Sequence, residues 1–231
     1  MGEIEEIKKQ ALELEMQGKI RVAISKLLSA LEIDESQYDI RVKLGELYYV
    51  LGEIEKSVEV LEGVVNERPE FTLALYRLGI SYFRAVKFLK AIEVFKRIME
   101  IEPDLYMAYY WAGLSYYHIG DFKNSIECYK KLMEKCPDGK LGCYQMAVVY
   151  RAAGKYKEAI ECLEKVLEKD PNVVSANYHL GICYLRLHNY DKAIDCFKKV
   201  LELDRNHVEA LTKLKEITED DQWYTFDVPP L

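Results

Sequence analysis

Residues Asn177–Phe197 read NYHLGICYLRLHNYDKAIDCF. Thirty-four residues earlier, Cys143–Leu163 read CYQMAVVYRAAGKYKEAIECL, and 34 earlier again Tyr109–Tyr129 read YYWAGLSYYHIGDFKNSIECY. One skeleton returning at a fixed period is the mark of a repeat architecture. Pro69, Pro103, Pro137 and Pro171 keep the same 34-residue step, and they frame six gapless units: 4–37, 38–71, 72–105, 106–139, 140–173 and 174–207.

Each unit carries two runs of apolar residues at helical spacing, which predicts a helix pair. The break between the runs holds Gly18, Gly52, Gly120 or Gly154 in four units. Glycine suits the left-handed residue that closes a helix. Val86 and His188 stand there in the third and sixth units, so those turns are expected to close in another manner, with Asn189 helping in the last. Each proline falls after a second helix, where it cannot continue that helix and can help start the next.

With these features the chain resembles the tetratricopeptide repeat family over residues 4–207. The Leu-Gly pair of the family's first helix stands as Leu44-Gly45, Leu78-Gly79 and Leu180-Gly181, and more loosely as Ala112-Gly113 and Met146-Ala147. The aromatic three residues after it is Tyr48, Tyr82, Tyr116, Tyr150 or Tyr184. The small residue of the second helix is Ala23, Ser57, Ala91, Ser125, Ala159 or Ala193, followed four later by Leu27, Leu61, Phe95, Tyr129, Leu163 or Phe197. The first unit matches least well, as an end repeat would. The resemblance implies an all-α, right-handed superhelical solenoid of six helix-turn-helix repeats. Residues 208–217 continue the first-helix pattern and are expected to cap it, and 218–231 form an acidic, aromatic tail.

The family's first helices line a concave groove that takes a partner segment. Carried over slot by slot, that groove receives Tyr76, Tyr110, Tyr144 and Tyr178, one per unit, with Leu114, Val148 and Ile182 beside them and Tyr49, Phe83 and Tyr117 further along. The core slots are already filled by Leu44, Leu78 and their copies, so this ladder lies on another face. A helix apolar on both faces must be covered on both. Leu105–Gly120 is free of formal charge and holds Tyr109, Tyr110, Trp111, Tyr116 and Tyr117, so the fourth unit is expected at the groove's centre. The polar residues among these aromatics are mainly basic: Arg77, Arg84, Arg151 and Arg186, near His118 and His179. Arginine beside aromatics favours a protein or peptide partner that carries carboxylates as well as apolar groups.

The tail, TEDDQWYTFDVPPL, supplies that chemistry itself through Trp223, Tyr224 and Phe226. As an extended chain, its fourteen residues reach at most roughly 45 Å. It is expected to enter a groove in cis or in trans, competing with an outside partner. Two other readings stay open: a scaffold that self-assembles through tail-to-groove or end-to-end contacts, and a chaperone or secretion adaptor. Where the family's chaperone-binding members place a lysine and asparagine clamp, this chain has Val42, Glu46, Tyr76 and Ile80.

The remaining composition narrows the classes. A net charge of −7 argues against a nucleic-acid surface. No run of eighteen apolar residues occurs, so no membrane span is expected. The acidic start MGEIEEIKKQ lacks the pattern of a secretion signal, and Glu6 breaks the N-myristoylation motif. Cys128, Cys136, Cys143, Cys162, Cys183 and Cys196 show no metal-binding spacing and read as packing residues in a reducing compartment. With no phosphate loop, nucleophile elbow or metal-binding His pair, neither catalysis nor a cofactor or metal is expected. The expected location is the cytoplasm.

Overall fold

A computed structural model describes residues 2–136 and 139–224, with side chains as far as residue 218. Among the described residues there are thirteen helices and no strand. The chain divides into two compact units, Met1–Gly120 and Asp121–Leu231.

The first unit holds α1 (Glu3–Met16), α2 (Ile20–Ile33), α3 (Tyr38–Val50), α4 (Ile54–Glu67), α5 (Thr72–Arg84), α6 (Phe88–Ile101) and α7 (Tyr106–His118). Each helix packs on the next, and α3 also meets α5, as α5 meets α7. The second unit holds α8 (Phe122–Lys135), α9 (Lys140–Ala152), α10 (Tyr156–Lys169), α11 (Val174–Arg186), α12 (Tyr190–Leu203) and α13 (Val208–Tyr224), again packed in sequence, with α9 touching α11. Both units are thus all-α stacks of antiparallel helix pairs.

The stacking follows from the small and large slots read in the sequence. Ala23, Ser57, Ala91, Ala159 and Ala193 are fully buried. So are Leu61, Phe95, Leu163 and Phe197 beside them. The glycines of the first helices admit these large side chains. A Cβ at Gly79 would lie 2.6 Å from the Phe95 ring, one at Gly181 2.8 Å from Phe197, and one at Gly45 2.6 Å from Leu61. No real side chain tolerates that approach without repacking. The least family-like pair, α1 and α2, still builds a core from Ala11, Ala23, Ile24, Leu27 and Ala30, with Ile40, Leu44 and Leu47 of α3.

The aromatic of the first helix ties neighbouring pairs together. Tyr82 Oη donates to Glu62 on α4, and Tyr184 Oη donates to Glu164 Oε1 on α10 at 3.1 Å. Lys90 Nζ and Lys192 Nζ cover these two rings at 5.2 and 5.1 Å.

The turns within pairs close alike whether or not glycine is present. The amide of Lys19 donates to Leu14 O at 2.9 Å, and Glu53 to Tyr48 O, Lys87 to Tyr82 O and Asn189 to Tyr184 O at the same distance. This six-to-one bond needs a left-handed residue just before its donor. Gly18 and Gly52 provide it at φ 72° and 77°, and Val86 and His188 adopt it too, at 60° and 57°. Asn189 helps by capping α12, its side chain accepting from Lys192 N at 3.4 Å. For a β-branched residue the left-handed region costs about 1–2 kcal/mol, and Val86 is 69% exposed, so its side chain offsets little of that. Val86→Gly is therefore expected to raise the urea midpoint, by about 1 kcal/mol of stability. A lower midpoint would show that the valine contributes packing.

The stretch 218–224, read from the sequence as tail, instead continues α13 to Tyr224. Nothing between Val208 and Tyr224 is glycine or proline, so no breaker stops the helix. The side chains of Trp223 and Tyr224, and all of Phe226, lie outside the described residues. No helix among the described residues is long and apolar enough to cross a membrane.

Candidate functional site on the first helices

The sequence-predicted site residues sit on α3, α5 and α7 of the first unit and on α9 and α11 of the second. In the first unit, Tyr49 and Arg77 line a cavity of about 220 Å³ together with Glu15, Glu46, Leu47, Val50 and Ile80. A second cavity of about 190 Å³ lies between α1 and α3, floored by Ala11, Leu27, Ile40 and Leu47 and rimmed by Lys8, Glu15 and Lys43. An ion-pair chain runs over both: Lys43 Nζ lies 2.9 Å from Glu15 and 3.3 Å from Glu46, and Arg77 Nε 2.6 Å from Glu46 Oε1. Arg77, expected to face a ligand's carboxylate, is thus already paired within the fold. Its partner lies 31 residues away in the chain, so only folding brings the two together.

Several expected ligand aromatics also pack on one another. Trp111 Nε1 donates to Tyr76 Oη at 3.0 Å, and the indole stacks on Phe95 at 6.5 Å, 12° from parallel. Phe83 sits edge-on to Trp111, Phe88 and His118 at 5.3, 5.3 and 5.4 Å. Tyr76, Phe83 and Trp111 therefore wall the site from inside, each half-buried. Tyr110 meets the Trp111 ring edge at 5.4 Å, and burial pushes its phenol pKa up. Leu114 and Tyr117 are half-buried, while Arg84 is exposed.

In the second unit, the rings of Tyr144 and Tyr178 lie 5.9 and 5.7 Å from His179. Tyr178 also packs on Phe197 and His207 at 5.9 and 4.9 Å. Val148, Arg151 and Ile182 are half-buried and Arg186 is exposed. Burial, and then the Arg151 charge, hold the His179 imidazole well below its usual range, at about 4. The sequence places His179 only near the groove arginines and not among the ligand residues, and the fold sets it beside both tyrosine rings. His179 occupies the same 34-residue slot as Arg77 and Trp111, which is the signal that could have found it.

A charge pattern emerges once helix boundaries are fixed. The chain has 39 acidic residues, yet α5, α7, α9 and α11 contain no Asp or Glu. The first helices of the first two pairs differ, with Glu15 on α1 and Glu46 on α3. Among the described residues, Arg84, Arg151 and Arg186 form no ion pair. No group of three or more His, Cys, Asp or Glu able to hold a metal ion is found among them. Burial pushes the Cys162 and Cys183 thiols up to about 11, so both stay protonated and unreactive.

Known proteins share this fold. The chain is similar in structure to MamA 41-end from Desulfovibrio magneticus RS-1, with a TM-score of 0.69 at 21% identity, over 75% of this chain and 98% of that one. Another MamA crystal structure aligns over 84% of this chain and 97% of that one, with a TM-score of 0.67 and 21% identity. YrrB, described as a TPR protein with an unusual peptide-binding site, aligns at 0.67 and 18% identity over 82% of this chain and 97% of its own. No curated protein matches the sequence. Family models do match it: tetratricopeptide repeat over 42–105 and again over 150–217, and anaphase-promoting complex, cyclosome, subunit 3 over 88–166. Matched by these models over both its halves, the chain belongs to the tetratricopeptide repeat family.

Proposed function

We propose that this chain is a non-catalytic protein–protein interaction scaffold whose first helices bind a partner segment bearing carboxylates beside apolar or aromatic residues. One observation carries the reading: four successive first helices are free of acids in an acidic protein, while among the described residues Arg84, Arg151 and Arg186 on these helices form no ion pair. Tyrosine supplies flat apolar area at low entropic cost and a hydroxyl for orientation. Arginine then selects a partner of opposite charge and speeds encounter. The peptide-binding site named for YrrB, a protein of the same fold, supports a peptide-like ligand. Six cysteines with no metal-binding spacing suit a reducing compartment, and the cytoplasm is the proposed location.

The chain's own C-terminus is a second occupant to consider, because α13 carries it to Tyr224 and Phe226 and Asp227 follow. The seven residues beyond Tyr224 reach at most about 25 Å. That is little more than half the span expected of a fourteen-residue tail, so occupancy in trans is the form to test, by light scattering over a concentration series.

Selection of a random peptide library on the immobilised chain tests the main reading. The enriched peptides should combine Asp or Glu with Phe, Tyr or Leu. Binding should weaken with salt and fall roughly tenfold in Arg84→Glu or Arg186→Glu, both exposed positions. Peptides with no acidic bias, indifferent to both reversals, would overturn it.

A further inference from the structure

Among the described residues of the second unit, the buried Nε of Arg151 in the last turn of α9 and the buried Nδ1 of His179 on α11 stand without hydrogen-bond partners. A buried donor left unmet costs about 1–3 kcal/mol, and such groups call for an explanation. The two sit on helices that touch each other, α9 and α11, and the Arg151 charge acts on both His179 and Cys183. Both side chains are half-buried, so each also presents a surface to solvent, and Tyr144 and Tyr178 flank the imidazole.

We propose that Arg151 and His179 form a binding pair for one carboxylate, the side chain of an Asp or Glu in the segment held by the first helices. The inference rests on the function proposed above and names the place where the acid is gripped. A carboxylate matches the pair because its two oxygens accept from a guanidinium fork and, with the proton on Nδ1, from the imidazole as well. The protein does not supply that carboxylate from the helices packed here. Neither α9 nor α11 has one. The acids of α8, α10 and α12 are exposed, and Glu164 is taken by Tyr184. Tyr144 and Tyr178 dry the site and favour an apolar residue beside the acid in the ligand. A phosphate would bring close to two negative charges to a half-buried pair that carries only the Arg151 charge, the imidazole being neutral.

The probe is N-acetyl-Phe-Asp-Phe amide, titrated by calorimetry into the full chain beside its Asn counterpart and phosphotyrosine. The Asp peptide should bind at least about tenfold more tightly than the Asn peptide, and phosphotyrosine should not compete. That advantage should vanish in Arg151→Gln and shrink in His179→Gln, with circular dichroism showing both variants folded. Arg151→Lys keeps the charge without the fork and should recover only part of it. If the advantage survives in Arg151→Gln and is lost instead in Arg186→Glu, this pairing falls while the wider reading stands. Should neither peptide bind the native chain, both fall. Displacement of the Asp peptide by phosphotyrosine would also overturn the choice of carboxylate.

Discussion

Phe95→Ala is expected to destabilise the first unit by about 3–5 kcal/mol, the usual cost of removing a fully buried phenylalanine. Phe95 has no exposed surface, lies 6.2 Å edge-on from the Tyr76 ring and stacks under Trp111 at 6.5 Å. The cavity would open beneath the wall of the candidate site, so binding should weaken with stability. Its partner position makes the same point from the opposite side. Gly79→Ala adds one methyl group 2.6 Å from Phe95 Cζ, and a rigid ring cannot yield as a flexible chain would. Overpacking of this kind costs about 1–3 kcal/mol. Because the two residues share one volume, Gly79→Ala with Phe95→Leu should cost at least about 1 kcal/mol less than the sum of the single changes. Urea unfolding of the four proteins measures this, and strict additivity would mean that the glycine is not there to admit the ring.

Acid should weaken the second unit through His179. The fold holds this imidazole neutral, with a pKa of about 4, by burial and then by the Arg151 charge. An unfolded histidine takes a proton near 6.5. Between those values protons bind the unfolded chain preferentially, so stability present above pH 6.5 is lost as the pH falls toward 4. The full loss is at most about 3 kcal/mol, most of it below pH 6. His179→Gln should flatten the urea midpoint between pH 7 and 5. Paired carboxylates such as Glu53, held low first by Lys56, and Glu67, held low first by Arg41, lose their contribution only at lower pH. If the native chain and the variant show parallel profiles, the imidazole is not kept neutral by the fold.

The 34-residue period made the helix pairs, the small and large core slots and the glycine turns legible, because each is a local property repeated often enough to stand out. Val86 and His188 hid a turn of the same kind. Their side chains disfavour the left-handed region, and the neighbouring hydrogen bonds impose it nonetheless. The helix running on to Tyr224 was obscured by a change in composition, from alternating charge to a block of acids, that carries no helix breaker. The candidate site was read from the sequence as a ladder of first-helix aromatics and arginines, and the fold gives several of them contacts that no sequence period shows. Tyr76, Phe83 and Trp111 were assigned to a ligand, and the fold packs them against Phe88, Phe95 and His118 as well. Arg77 has the same history, since Glu46 reaches it only when α3 and α5 are stacked. That Arg84, Arg151 and Arg186 form no ion pair among the described residues likewise depends on where the other acids go.

The measurement that bears most directly on the role of the first helices is a map of chemical-shift changes as a selected acidic, aromatic peptide is titrated into the isotope-labelled chain. Saturable changes should concentrate on α5, α7, α9 and α11, including the rings of Tyr144, Tyr178 and His179, with little change along α10 and α12. Changes confined to the second helices would contradict a binding role for the acid-free helices.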